Sequence, residues 1–304
     1  MKDYVQDYFD RHAHAWVEAA YDEEVRFPVG AERVRLAIEG VAPAMREGAR
    51  LADLGCGGGQ LCVHAANLGW RAVGVDNAPG MIEEARANAA NAGSVEIQWI
   101  TAAYDESGLP DGELDAVTAL GLVEYLPDDD GLFAEAARVL RPGGRFAVSC
   151  RNRLYNLLSA NEYTAQEYED EAPRLLAELR ELLERTDASA LHGLAESLAR
   201  AGEELERAVS ADRDVPAREL HDHRRAFQRG RRQHTPRELG GAANRHGFAQ
   251  REILALHPHP LPPALEPVAP RTYNRLARAW QDSLERSPAG LAFSTAFVAV
   301  YERT

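Results

Sequence analysis

Apolar and polar positions repeat with two periods along this chain, and the points where the period changes divide it. Residues 1–22 carry Tyr4, Tyr8, Phe9, Trp16 and Tyr21 at helical spacing and predict an amphipathic helix. Residues 31–44 predict a second helix, ended by Gly40 and Pro43. Short apolar runs then alternate with helical patterns. "RLADLG" at 50–55 reads as a strand, 59–68 as a helix and "RAVGVD" at 71–76 as a second strand. "APGMIEEARANAANAG" has proline near its start and glycine at its end, the preferred punctuation of a helix. "VEIQWITA", "LDAVTALG" and "RFAVSC" supply strands three to five, and "DGLFAEAARVLRPGG" is a helix closed by a Pro-Gly-Gly turn. This alternation predicts an α/β fold: a parallel sheet with helices on both faces.

After Cys150 the alternation stops. Residues 165–212 are rich in Leu, Ala, Glu and Arg, with apolar positions at 175, 176, 179, 182 and 183, then 191, 194, 198 and 205. Two amphipathic helices inserted into the sheet's connectivity are expected. Leucines at this spacing favour an internal packing face; the alternative is the seam of a homodimer through the helical insertion. The sheet is expected to resume at "FAQREILAL" and finish with "LAFSTAFVAVYE", the proline-rich "HPHPLPPALEP" between them being a rigid loop.

Composition narrows the classes. Of 304 residues, 45% are hydrophobic and 27% charged, ordinary for a globular chain, and no run of about 18 apolar residues suggests a membrane span. "MKDYVQDYFD" lacks the apolar core of a signal peptide. Cys56, Cys62 and Cys150 show neither paired nor zinc-type spacing, so a cytoplasmic, reducing compartment is expected. A net charge of −14 argues against a nucleic-acid partner, because phosphate neutralisation needs a basic surface. Lys2 is the only lysine, which removes P-loop, Schiff-base and lysine-nucleophile chemistry.

The strongest chemical signal is "LADLGCGGGQ", four glycines in five positions between a strand and a helix. A dinucleotide fingerprint needs a third glycine where Gln60 stands, and it meets an anionic pyrophosphate that Asp53 would oppose. Asp76 closes the second strand 23 residues after Asp53, where a carboxylate accepts from both hydroxyls of a ribose. Gly55-x-Gly57-x-Gly59 with these two acids suits a ligand that has an amino-acid tail, a ribose and an adenine but no phosphate.

On "LADLGCGGG", "VGVDNAPGMIEEAR", "LDAVTALGLVEYL" and "RVLRPGG", residues 45–150 resemble the class I S-adenosylmethionine-dependent methyltransferases of the small-molecule branch. The resemblance implies a Rossmann-like seven-stranded sheet, mostly parallel with its last strand antiparallel, and S-adenosyl-L-methionine as cofactor. It implies that the loop from Gly55 through Cys56 and Gly57 to Gly59 passes under the cofactor, whose bulk takes the room that side chains gave up. Asp53 would then lie near the methionine moiety, Asp76 hold the ribose, Asn77 and Met81 flank the adenine, and a carbonyl near Leu120 accept from the ammonium. Family members carry an acid past the third strand; here that position is Ala103, so either Asp105 or main-chain groups with the ring of Tyr104 would hold the adenine. Four regions follow: an N-terminal helical lid (1–44), the cofactor-binding core (45–152), a helical insertion covering the substrate (153–235), and the rest of the core sheet (236–304).

The activated methyl carbon makes transfer largely a matter of positioning, and a base is needed only for a protonated nucleophile. A small-molecule acceptor, in specialised biosynthesis, is the leading expectation. Tyr8, Trp16 and Tyr21 on the lid, and Arg151, Asn152, Asn156 and Asn161 after the fifth strand, are candidate substrate contacts, the asparagines competing with capping roles. His257, His259 and Tyr21 are the candidate bases. Arg224, Arg225, Arg229, Arg231 and Arg232 would contact a phosphate or carboxylate, or pair with the Glu-rich helices. His221, His223 and His234 invite a metal, but the His-Asp-His stretch at 221–223 lacks an evident third protein ligand, and no metal is expected. Alternatives are a sulfonium-assisted rearrangement or elimination at the same site, and a non-catalytic cofactor-binding assembly protein.

Overall fold

The computed structural model describes residues 2–21, 27–93, 96–213 and 231–304, without the side chains at 2–4, 15–21, 170 and 213. In chain order the elements are α1 (Lys2–Tyr21), α2 (Val29–Val41), β1 (Arg50–Leu54), α3 (Gln60–Asn67), β2 (Arg71–Asp76), α4 (Pro79–Asn91), β3 (Gln98–Thr101), β4 (Leu114–Leu120), α5 (Asp130–Val139) and β5 (Leu140–Arg151). There follow α6 (Asn156–Ser159), α7 (Thr164–Asp170), α8 (Ala172–Glu184), α9 (Ala188–Arg200), α10 (Gly202–Arg213), α11 (Pro236–Arg245), β6 (Phe248–Pro258), α12 (Pro270–Leu284), α13 (Pro288–Phe293) and β7 (Ser294–Arg303).

All seven strands join one sheet in the order β3-β2-β1-β4-β5-β7-β6. β1 to β5 run parallel, and β7 enters antiparallel between β5 and β6. Strand order reverses between β1 and β4, so the crevice at their carboxyl ends is the switch point where open sheets bind ligands. One face of the sheet is closed by a core that includes Leu132, Phe133, Leu239 and Phe248, the other by Leu36, Ile38, Leu61 and Ile82. Each large side chain of this kind contributes roughly 1.5–3 kcal/mol on burial.

β1, β2 and β4 fall where the apolar runs place them. The Pro-Gly-Gly segment does not end α5 as a turn. It lies inside β5 as a bulge, with register running from Leu114↔Leu140 to Ala116↔Arg145. The inserted segment forms four helices, α7 to α10, where the spacing of leucines suggested two. Glu171 interrupts the first pair with a non-helical backbone, and Asp187 caps α9 by accepting from the amides of Ser189 and Ala190. Leu175 and Leu179 of α8 pack inward on Leu154, Leu157 and Ala292. α9 and α10 lie along α12, where Ser283 donates to the carbonyl of Gly193 and Asp212 accepts from the amides of Arg271 and Thr272. The insertion thus packs part of its apolar face on α12 and α13 of this chain, while Leu176, Leu183 and Leu191 stay exposed.

α12 itself was hidden behind the proline-rich stretch. It covers the free edge of β6, where Gln281 donates to the carbonyl of Ala255 and accepts from the amide of His257. That satisfies backbone groups an edge strand would otherwise expose.

Trp99 of β3 occupies the hollow beside the glycine loop. A Cβ on Gly74 would stand 2.4 Å from its ring and 2.9 Å from the sulfur of Cys56; one on Gly59 would stand 2.4 Å from the same ring. Overpacking of this kind costs about 1–3 kcal/mol. Gly74→Ala should lower the unfolding free energy by about that much in a urea titration, and adding Trp99→Leu should recover part of the loss, as a double-mutant cycle would reveal.

Candidate cofactor and acceptor site

The glycine loop is tied to the acid of β2. Asp76 accepts from the amide of Gly57 through one carboxylate oxygen and from the amide of Ala78 through the other, both at 2.9 Å. Asn88 of α4 donates to the carbonyl of Gly58 at 2.9 Å, and the amides of Gly55 and Cys56 both bond the carbonyl of Val75. Gly55, Gly57 and Gly59 all have left-handed backbone, which accounts for the residue type at each. The space beside Gly55 and Gly59 is filled by Leu122 and Trp99. The expectation that cofactor bulk takes that room is corrected there: the protein's own side chains do.

Asp53 is buried behind this loop and accepts from Thr118 Oγ1 at 2.7 Å. Burial pushes its carboxyl up to about 7, against the pull of that hydrogen bond and helped by the charge of Asp76. Burial also raises Asp76, although three backbone amides oppose it. Two confined acids held towards neutrality gain from a cationic ligand, and Asp76 keeps acceptor capacity on both oxygens for a diol. An adenosyl sulfonium with an amino-acid tail fits that donor set. The thiols of Cys56 and Cys62 are held well above their ordinary range by burial, so neither supplies a thiolate.

α1 lies across α4 beside this loop. Gln6 donates to the carbonyl of Asn77 at 2.7 Å, and Asp10 accepts from the amide of Gly80 at 2.6 Å, capping the first turn of α4. Met81 is buried against Ala13 and Ala78, with Phe9 packed on them, while Asn77 stays exposed. Ala103 follows β3, and the amide of the preceding Ala102 bonds the carbonyl of Asp76. Tyr104 reaches instead towards the first turn of α5, where a Cβ on Gly131 would stand 2.8 Å from its hydroxyl. Burial pushes that hydroxyl up to about 12.

Beyond Leu120 a set of charged side chains converges that the sequence did not single out. Gly121 donates to Ser149 Oγ, and a Cβ there would stand 2.6 Å from Arg33 Nη1 and 3.7 Å from Glu124 Oε1. Among the described residues the Arg33 guanidinium makes no hydrogen bond or ion pair, and its Nε is buried. Phe9 meets Tyr125 edge-on at 5.4 Å, and Arg231 stands 5.4 Å from the centre of the Tyr125 ring.

The segment after β5 divides in two. Asn152 donates to the carbonyls of Leu291 and Ser294 and accepts from the amide of Leu154. Asn156 donates to Glu167 and Gln233 and accepts from Asn161. These asparagines, placed among the candidate substrate contacts, are buried and committed to the protein's own groups. Arg151 is not: it stands 5.9 Å from the centre of the Tyr163 ring and makes no hydrogen bond or ion pair through its side chain among the described residues.

Residues 231–234 return from the insertion along the end of β5, the amide of His234 bonding the carbonyl of Arg151 and the amide of Arg153 bonding the carbonyl of His234. His234 is buried between Cys150 Sγ at 3.1 Å and Asp129 at 3.0 Å. Arg232 also pairs with Asp129, at 2.7 Å, and Arg231 faces Glu124 at 3.7 Å. Both thus meet acids of the segment after β4. Arg224, Arg225, Arg229, His221 and His223 lie outside the described residues, as do the side chains of Trp16 and Tyr21. No group of metal-ligating side chains occurs among the described residues.

Tyr8 stacks on His12 at 4.6 Å on α1. Of the candidate bases, His259 has both ring nitrogens engaged, with the carbonyl of Tyr273 at 2.6 Å and the amide of Leu261 at 2.9 Å. Accepting from that amide leaves it no site for a substrate proton. Burial also lowers its affinity for protons. His257, on a left-handed backbone, stacks on Phe27 at 4.4 Å and bonds Thr295.

Comparison with known proteins matches residues 52–148 to the family model described as a methyltransferase domain. The ubiquinone biosynthesis O-methyltransferase of Xanthomonas oryzae pv. oryzae is 36% identical over 107 residues, 35% of this chain and 44% of that protein. Matches to these curated relatives thus span 44–60% of their length. Among solved structures, geranyl diphosphate C-methyltransferase from Streptomyces coelicolor A3(2) superposes with a TM-score of 0.52 at 15% identity, over 90% of this chain and 79% of that one. The [4+2]-cyclase SpnF does so with a TM-score of 0.51 at 15% identity, over 93% and 85%. Strand order, glycine loop and family match agree: residues 52–148 of this chain match a methyltransferase domain, and the sheet around them has the fold of the methyltransferases it superposes on.

Proposed function

We propose that the protein transfers a methyl group from S-adenosyl-L-methionine to a small-molecule acceptor. The observation that carries this reading is the joining of Gly57 and Asp76 at the β1/β4 switch point, beside the buried acid Asp53. Asp76 would hold the ribose diol, Asp53 would set a negative field for the cationic end, and the free guanidinium of Arg33 beside Gly121 suits the α-carboxylate of the methionine moiety. The cofactor, when bound, supplies a methyl carbon already activated by its sulfonium. What the chain adds is placement and dryness. α1, docked through Gln6 and Asp10, serves as a lid, and the insertion closes the far side as a dedicated cover suited to a specialised acceptor. With reacting atoms held near 3 Å, no general base is required for an acceptor that arrives deprotonated.

The part shared with the O-methyltransferases is the cofactor half, so the acceptor must be read from this chain's own residues. The fold also serves a [4+2]-cyclase, which makes release of adenosylhomocysteine during turnover the measurement that separates transfer from other uses of the site. No helix among the described residues is long and apolar enough to cross a membrane.

Calorimetry should detect adenosylhomocysteine binding, and Asp76→Ala should weaken it by ~100-fold, the loss of two charge-assisted hydrogen bonds. Undiminished affinity would overturn the ribose assignment. Asp53 adds a pH dependence. Its raised carboxyl favours the folded, ligand-free protein below the ordinary carboxylate range of ~3.9, and that contribution is lost as pH rises through about 7. The ionised form is the one that attracts the ligand's ammonium. Affinity should therefore rise between about pH 6 and about pH 8, and Asp53→Asn should flatten the profile.

A further inference from the structure

Resting on the methyltransferase reading, we infer that the acceptor carries an oxyanion, a carboxylate or a phosphate, held by Arg151 and Arg231 between the rings of Tyr125 and Tyr163. Arg151 closes β5 at the carboxyl edge of the sheet, on the far side of the β1/β4 crevice from Asp76. Its guanidinium is half-buried against Tyr163, with five donors and no hydrogen-bond or ion-pair partner among the described residues. The polar side chains that follow it in the fold are committed elsewhere. Asn152 and Asn156 bind carbonyls and carboxylates of the chain, and Asp129 is taken by His234 and Arg232.

The backbone pairing of 151–153 with His234 brings Arg231 alongside, stacked over Tyr125. Burial raises the hydroxyls of both tyrosines, and both arginines pull them back, which places the two guanidinia within electrostatic reach of both rings. Glu124 forms an ion pair with Arg231 at 3.7 Å, and Glu162 beside Tyr163 is exposed. In a chain of net charge −14, a confined patch with two guanidinia and one buried carboxylate is built for an anion. Guanidinium forks match carboxylate and phosphate oxygens in pairs, and the aromatic walls, with Phe9 edge-on to Tyr125, suit a flat or apolar body attached to the anion.

The test uses the full chain saturated with adenosylhomocysteine, titrated calorimetrically with 4-hydroxybenzoate, phenyl phosphate and the uncharged 4-hydroxybenzamide. At least one anion should bind about tenfold or more tightly than the amide, and which one does identifies carboxylate or phosphate as the group recognised. Arg151→Met, which keeps the stem over Tyr163, should remove that preference; Arg151→Lys should keep part of it; Arg231→Met should weaken it. Adenosylhomocysteine affinity should stay as in the parent. The melting temperature of Arg151→Met should hold or rise, since the side chain has no partner to lose, whereas a fall would mark a structural role and overturn the proposal. Equal binding of anions and amide, or no anion binding by protein that still takes up adenosylhomocysteine, would also overturn it. Failure to bind adenosylhomocysteine at all would remove the methyltransferase reading first, and this inference with it.

Discussion

One carboxylate organises the cofactor side. Asp76 closes β2 and accepts from the amides of Gly57 and Ala78, so a single side chain fixes both the glycine loop and the entry to α4. Without it, three left-handed glycines in five residues would leave the loop free to sample many shapes. The same two oxygens each keep a lone pair to spare. On the proposed reading one group therefore carries both structure and binding, and its confinement near Asp53 makes the ligand-free site an electrostatically uneasy one. A cation relieves that unease; a pyrophosphate would deepen it. That is the physical reason the loop departs from the dinucleotide pattern at Gln60.

The core sheet was legible because its strands are buried on both faces and read as short apolar runs, and because helix punctuation by proline and glycine is local. Two features were not. The Pro-Gly-Gly bulge in β5 looks like a turn until β4 supplies a partner for its flanks. α12 follows a proline-rich stretch, and its buried residues Tyr273, Ala277, Gln281 and Leu284 include a polar one whose purpose appears only when β6 lies beside it. A helical spacing at 273, 277, 281 and 284 was the available signal.

The site was legible in the same uneven way. Glycines and acids that act through backbone geometry announce themselves by spacing. Side chains that act because they are left unpartnered do not, since the lack of a partner is a fact of three dimensions. Arg33 sits in an ordinary amphipathic helix, and only its place beside Gly121 distinguishes it from Arg35, which is paired with Glu32, Glu39 and Glu285. Asn152 and Asn156 look like ligand-binding residues after a fifth strand, yet burial and saturated hydrogen bonding assign them to the frame.

That division of labour explains how a strongly acidic chain keeps arginines available. Most of the described arginines are neutralised at the surface, as in the network of Arg153 and Arg174 with Glu171 and Glu238. Such exposed pairs contribute little stability, so their abundance is better seen as a balance of charge than as a source of strength. Against that background an unpaired guanidinium at the carboxyl edge of β5 is a departure from local rule. An arginine held half-buried forgoes water on one side without gaining a carboxylate, and a fold keeps such a residue where the missing partner arrives from outside. The backbone bonds between His234 and residues 151 and 153 fix the main chain at Arg151, and the Tyr163 ring lies 5.9 Å from its guanidinium, so part of the ordering that would oppose binding is already in place before a ligand comes.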